Sequence, residues 1–117
     1  MTVKECYELM GGDYEGVLSR LPGDNFIKKF AIKFLADPSF DNLDKALKEK
    51  NLEEAFRAAH TLKGVCQNLG FDDLFKVSSA ITEVLRSGTM DGCDAMFKDV
   101  EEQYHRTADA IRKLEQG

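Results

Sequence analysis

Apolar residues recur along this chain in steps of three and four, the spacing that lays one face of an α-helix against a core. Thr2 and Glu5 stand in capping-box spacing ahead of a short helix running to Met10, and Gly11-Gly12 stops it. Asp13 can cap a second short helix that ends near Leu21, before Pro22-Gly23. Asp24 opens a third, in which Phe26, Ile27, Phe30, Ala31, Phe34 and Leu35 recur at helical spacing. Pro38 interrupts that pattern, and Phe40, Leu43, Ala46 and Leu47 predict a fourth helix through about Lys50. A fifth runs from near Leu52 to Gly70, a natural C′ glycine. Asp72 or Asp73 starts a sixth, which turns Leu74, Val77, Ile81, Val84 and Leu85 towards the core and closes at Gly88. The last helix spans about Gly92 to Leu114. Its stripe of Cys93, Phe97, Val100, Tyr104, Thr107, Ile111 and Leu114 has bundle or coiled-coil spacing. A four-helix bundle accounts for that stripe without a partner, and a coiled-coil dimer is the alternative. No convincing run of alternating residues is present, so the fold class is all-α.

Composition narrows the function more than the fold. A chain of 117 residues fits one domain, residues 1–117, with a core large enough to need no staples. The net charge of −5 argues against nucleic acid, because phosphate contacts require a basic surface. Lys28, Lys29 and Lys33 do gather on one face of the third helix, which suits either a membrane-surface helix or a core helix with a solvated lysine face. The acidity of the whole chain favours the second reading, with no membrane partner. No apolar run approaches a membrane span and no signal-peptide stretch opens the chain, so a cytoplasmic location is expected. Cys6, Cys66 and Cys93 are widely spaced and odd in number, which disfavours a disulfide framework or a zinc site. Cys66 falls on an apolar stripe and reads as a small core residue, while Cys6 and Cys93 could be redox-active, although nothing near them in sequence suggests a depressed pKa.

The candidate chemistry lies on the fifth helix. At about 100° per residue, Leu52, Ala55, Phe56, Ala59, Leu62, Cys66 and Leu69 form one broad apolar stripe. His60 falls roughly 130° from the stripe centre on that geometry and is therefore not a core residue. Lys63, Gly64 and Gln67 lie on its side. A glycine inside a helix costs about 1 kcal/mol relative to alanine, and something must offset that. Either a neighbouring helix approaches closely at Gly64, or a ligand or partner needs room beside His60. Its outward position weakens the packing explanation. Imidazole can act as a nucleophile near neutral pH, and an ammonium one turn away can stabilise a phosphoryl group attached to the ring. A metal site fits less well, because His60 and His105 are the only histidines and Lys63 would repel a cation. A hydrolase triad lacks both a strand-turn framework and a Gly-rich phosphate loop.

These residues resemble a known signature. Ala58-Ala59-His60-Thr61-Leu62-Lys63-Gly64, followed by Asn68-Leu69-Gly70, is similar to the His-x-Leu-Lys-Gly motif of histidine-containing phosphotransfer (HPt) domains. Upstream, Leu18-Ser19-Arg20-Leu21 and Gly23-Asp24 look like the Leu-x-Arg-Leu-x-Gly-Asp turn common in bacterial members. The resemblance covers about Asp13 to Leu114. It implies an antiparallel four-helix bundle, here with short additional N-terminal helices, and an exposed histidine that carries a phosphoryl group between receiver domains of response regulators or hybrid kinases. By that analogy His60 is the phosphoacceptor through Nε2, Lys63 neighbours the phosphoryl oxygens, and Gly64 admits the receiver. Metal and acid-base machinery then belong to the partner, so the chain is a covalent carrier in a phosphorelay rather than an enzyme, with no cofactor of its own. No kinase ATP motif or receiver-like βα alternation accompanies it.

Helix geometry adds Gln67 as a rim contact. Arg57 can meet an acidic receiver rim or pair with Glu53. Many family members hold the histidine ring with a Gln or Glu on the following helix. Aligned without gaps, that position is Thr82 here, which makes its hydroxyl the candidate for orienting the ring. The competing readings are an interaction module that binds receivers without phosphotransfer, and a small enzyme using His60 as general base. His105 reads as a solvated surface residue. Monomer is the default for a bundle of this size.

Overall fold

The computed structural model describes all 117 residues and contains seven helices and no strand. They are α1 (Val3–Met10), α2 (Tyr14–Arg20), α3 (Asp24–Phe34), α4 (Ser39–Lys48), α5 (Leu52–Leu69), α6 (Asp72–Arg86) and α7 (Cys93–Gln116). The all-α expectation holds, and the boundaries fall where local chemistry placed them. Thr2 accepts from the Glu5 amide while Glu5 accepts from the Thr2 amide, completing the capping box. Asp13 caps α2 through the Gly16 amide. Asn51 caps α5 through the Glu54 amide. Helix α3 opens at Asp24 as expected, entered from Gly23 with no side-chain cap, and Asp24 accepts from the Tyr14 hydroxyl at 2.5 Å.

Helices α4, α5, α6 and α7 close the bundle, each in contact with the next and α7 again with α4. Short connections make sequential neighbours antiparallel. The stripe of α7 is used inside: Cys93, Val100, Thr107, Ile111 and Leu114 are buried, while Phe97 and Tyr104 stack on Phe40 of α4. The apolar face of α3 also goes to the core, where Ile27, Ala31 and Phe34 are buried. The aromatic series on α3 divides, however. Phe34 is buried and Phe30 half-buried, but Phe26 is 43% exposed, so only part of the series lies in the core. No helix is long and apolar enough to cross a membrane.

The N-terminal helices are tied to the corner between α5 and α6. Gly70 ends α5 in the left-handed conformation, φ +71°. Its carbonyl accepts from the Asp13 amide at 2.8 Å, and the Asp73 amide donates to Gly11 O at 3.1 Å. The buried Tyr7 hydroxyl donates to Leu69 O at 2.6 Å. Arg20 adds the charge that the end of α5 lacks. Its guanidinium donates to Gln67 O at 3.1 Å and to Asn68 O at 3.2 Å, carbonyls of the last turn, where the helix supplies at most the long 3.4 Å bond from the Gly70 amide to Gln67 O. The upstream Leu-Ser-Arg-Leu turn is thus a clamp on the helix that carries His60.

Candidate functional site

The amphipathic pattern of α5 fixes what faces outward. Ala55, Ala58, Ala59, Leu62 and Cys66 are buried, and the opposite face leaves His60 exposed in the middle of the helix. Gly64 lies one turn beyond. A Cβ built at Gly64 would meet nothing within 4 Å. That removes close helix packing as the reason for a glycine here. The bare backbone opens to solvent beside the imidazole.

On one flank the site borders α6. Lys63 is only 22% exposed, and its ammonium lies 3.6 Å from Glu83 Oε1. Glu83 Oε2 lies 3.4 Å from Arg86 Nε, so one carboxylate joins two cations. The Arg86 guanidinium sits over the Phe56 ring, 5.1 Å from its centroid. Phe56 in turn stacks on His60, with centroids 5.7 Å apart and planes 18° from parallel. Phe56 was expected in the apolar stripe. It is half-buried and divides its ring between the core and the imidazole. The i, i+4 spacing of Phe56 and His60 is the signal that identifies this pair. Glu83 and Arg86 carried no comparable signal, because their roles depend on how α6 is rotated against α5.

Thr82 does not come to the ring. It is fully buried, and its hydroxyl donates to Ser78 O at 2.6 Å within α6. The expectation that it orients His60 is therefore corrected: its single proton serves the helix backbone, and its exposed neighbour Glu83 contacts Lys63 of α5 instead. Arg57 pairs with both Glu53, at 3.4 Å, and Glu54, at 3.1 Å, on the exposed surface. Such solvent-facing pairs are worth little and hold the guanidinium loosely. Gln67 is exposed, as its position on the helix predicted, and its carbonyl is held by Arg20. His105 is exposed, and it also lies edge-on to Phe40 and Tyr104.

The other nucleophile candidates are internal. All three thiols are free and buried. Burial pushes Cys6 up to about 11 and raises Cys66 and Cys93 as well. They stay protonated and unreactive near neutral pH. His60 is thus the exposed nucleophile of this face. Beside it are a half-buried ammonium, an unobstructed backbone and, farther along α5, a shallow groove of about 410 Å³ lined by Arg20, Leu21, Phe30, Val65, Asn68 and Leu69. Phe26 stands against Phe30 with ring centroids 5.2 Å apart.

No curated protein and no solved structure matches the chain. The family model described as Hpt domain matches residues 36–115. That span holds the four bundle helices with His60 and Gly64, and leaves α1, α2 and α3 outside. A match over well over half of the chain, centred on the helix with the exposed histidine, means that this protein belongs to the Hpt domain family, the phosphotransfer modules of two-component signalling.

Proposed function

We propose that the chain is a phosphorelay carrier in which His60 accepts a phosphoryl group from a receiver's aspartyl phosphate and passes it to another receiver. The observation that carries this reading is an exposed mid-helix histidine beside a glycine with open space, within the family match. A ring nitrogen attacks phosphorus, the P–O bond to the aspartate breaks, and the electron pair leaves on the carboxylate. The other ring nitrogen keeps its proton. Lys63 is the nearby cation for the phosphoryl oxygens. Its long contact with Glu83 is a weak competitor for a dianionic group.

Gly64 admits the receiver, with Gln67 and Arg57 at the rim of the contact. The apolar groove and Phe26 extend that surface along α5 towards α3. Exposed aromatic surface beside a groove suits a partner helix. The whole chain acts as one cytoplasmic, monomeric carrier domain, and the metal and acid-base groups of the reaction reside on the receiver.

Wild type and His60→Gln, incubated with phosphorylated receivers and read by intact mass, test this. Wild type gains one phosphoryl group that is acid-labile and base-stable, and His60→Gln gains none. Equal acceptance by the variant would sink the reading. A receiver that binds tightly and transfers nothing to wild type would leave an interaction module instead.

A further inference from the structure

A side chain on an exposed helix face has two free torsions, and in-line attack needs the nitrogen lone pair, which lies in the ring plane, aimed at phosphorus. Something must hold that plane. The α6 position expected to supply a hydrogen bond holds Thr82, which is buried and bonded to Ser78 O. The imidazole is instead flanked by an aromatic face. Phe56 stacks on it at 18°. Phe56 is itself pinned by the Arg86 guanidinium, Arg86 by Glu83, and Glu83 by Lys63. The contacts leave α5 at Phe56, cross α6, and return to α5 at Lys63, so the frame brackets His60 one turn on either side.

We propose that Phe56, braced by Arg86 and Glu83, is the positioning residue that sets the plane of the His60 ring for phosphoryl transfer. This rests on His60 being the phosphoacceptor. Stacking fixes the plane from one face and leaves both nitrogen edges free for the phosphoryl donor and for solvent. A hydrogen bond to the ring would occupy one of them. The same carboxylate that braces Arg86 also contacts Lys63, one helical turn from His60, so the brace on Phe56 and the ammonium share one element of α6. An offset aromatic pair of this kind biases a rotamer equilibrium by roughly two- to tenfold. A misdirected nucleophile loses rate without losing the partner.

The test uses the full chain and a phosphorylated receiver that loads wild type. Single-turnover transfer is followed as a function of receiver concentration for wild type, Phe56→Leu, Phe56→Trp, Arg86→Gln and His60→Gln. The His60 ring-proton shifts are read by NMR on the first four. Phe56→Leu is expected to lower the saturating rate about tenfold while the half-saturating receiver concentration stays within about twofold. Its His60 ring protons lose the upfield ring-current shift. Phe56→Trp restores both rate and shift. Arg86→Gln, an exposed change that leaves the core intact, lowers the rate roughly two- to threefold on its own. A wild-type rate in Phe56→Leu, or in Arg86→Gln should the leucine variant not fold, overturns the proposal. So does Phe56→Trp behaving like Phe56→Leu. Phosphoryl gain by His60→Gln marks a different failure, that of the phosphoacceptor reading, and the ring-current shift still reports the stack independently of it.

Discussion

Gly64 and Gly70 stand six residues apart on one helix, and their reasons for being glycine are opposite. Gly70 is required from within. It adopts φ +71°, and a Cβ there would come 2.9 Å from Asp13 O and 3.3 Å from Val17 Cβ. The corner it makes holds α1 and α2 against the end of α5. Gly64 has helical backbone and open space around it, so nothing inside the molecule asks for it. It costs helix stability and returns none to the fold. On the proposed function, its benefit lies in what approaches from outside, on the face that carries His60. One helix therefore contains a region shaped by its own packing and a region that, on the proposed function, is shaped by a partner, and the free space at a glycine separates the two.

That contrast can be broken by substitution. Gly70→Ala forces a side chain into left-handed backbone against a carbonyl, and is expected to destabilise by about 2–4 kcal/mol in denaturant unfolding. A loss below about 1 kcal/mol would mean that the corner is not rigid. Arg20→Ala removes the guanidinium from the end of α5 and is expected to cost about 0.5–1 kcal/mol, read as a lower melting temperature. Hydrogen exchange should quicken at the last turn of α5 and remain as it was at His60. Gly64→Ala acts in the other direction, stabilising by about 0.5–1 kcal/mol because the new methyl meets nothing. Destabilisation by Gly64→Ala would mean that a neighbouring group packs closely against this position.

The same division explains what could be read from the sequence. Helix number, order and ends were legible because their signals are local. The Thr2–Glu5 box, Asp13, Pro38 and Gly70 act within a few residues of themselves. The outward position of His60, Lys63, Gly64 and Gln67 followed from helical rotation alone. Contacts between helices were not legible. Arg20 reaches the end of α5 across 47 and 48 positions, and Glu83 reaches Lys63 from α6. An ungapped count to position 82 gave Thr82, which faces inward, and its neighbour Glu83 faces α5. One residue along a helix is about 100° of rotation, enough to exchange a core residue for a surface one. Phe26 shows a related limit. Periodicity placed it with Phe30 and Phe34, but α3 begins at Asp24, and its first turn extends past the core it packs on.

On the proposed function, the His60 face is built for a partner and not for the fold. Gly64→Gln tests it most directly, because a long side chain at that position enters open space and raises helix propensity. Melting temperature and single-turnover phosphotransfer from a phosphorylated receiver are measured on the same sample. A melting temperature at or above wild type is expected, together with a transfer rate reduced by more than about tenfold. Wild-type transfer in a fully folded Gly64→Gln protein would contradict it, since the open face would then not be where the receiver docks.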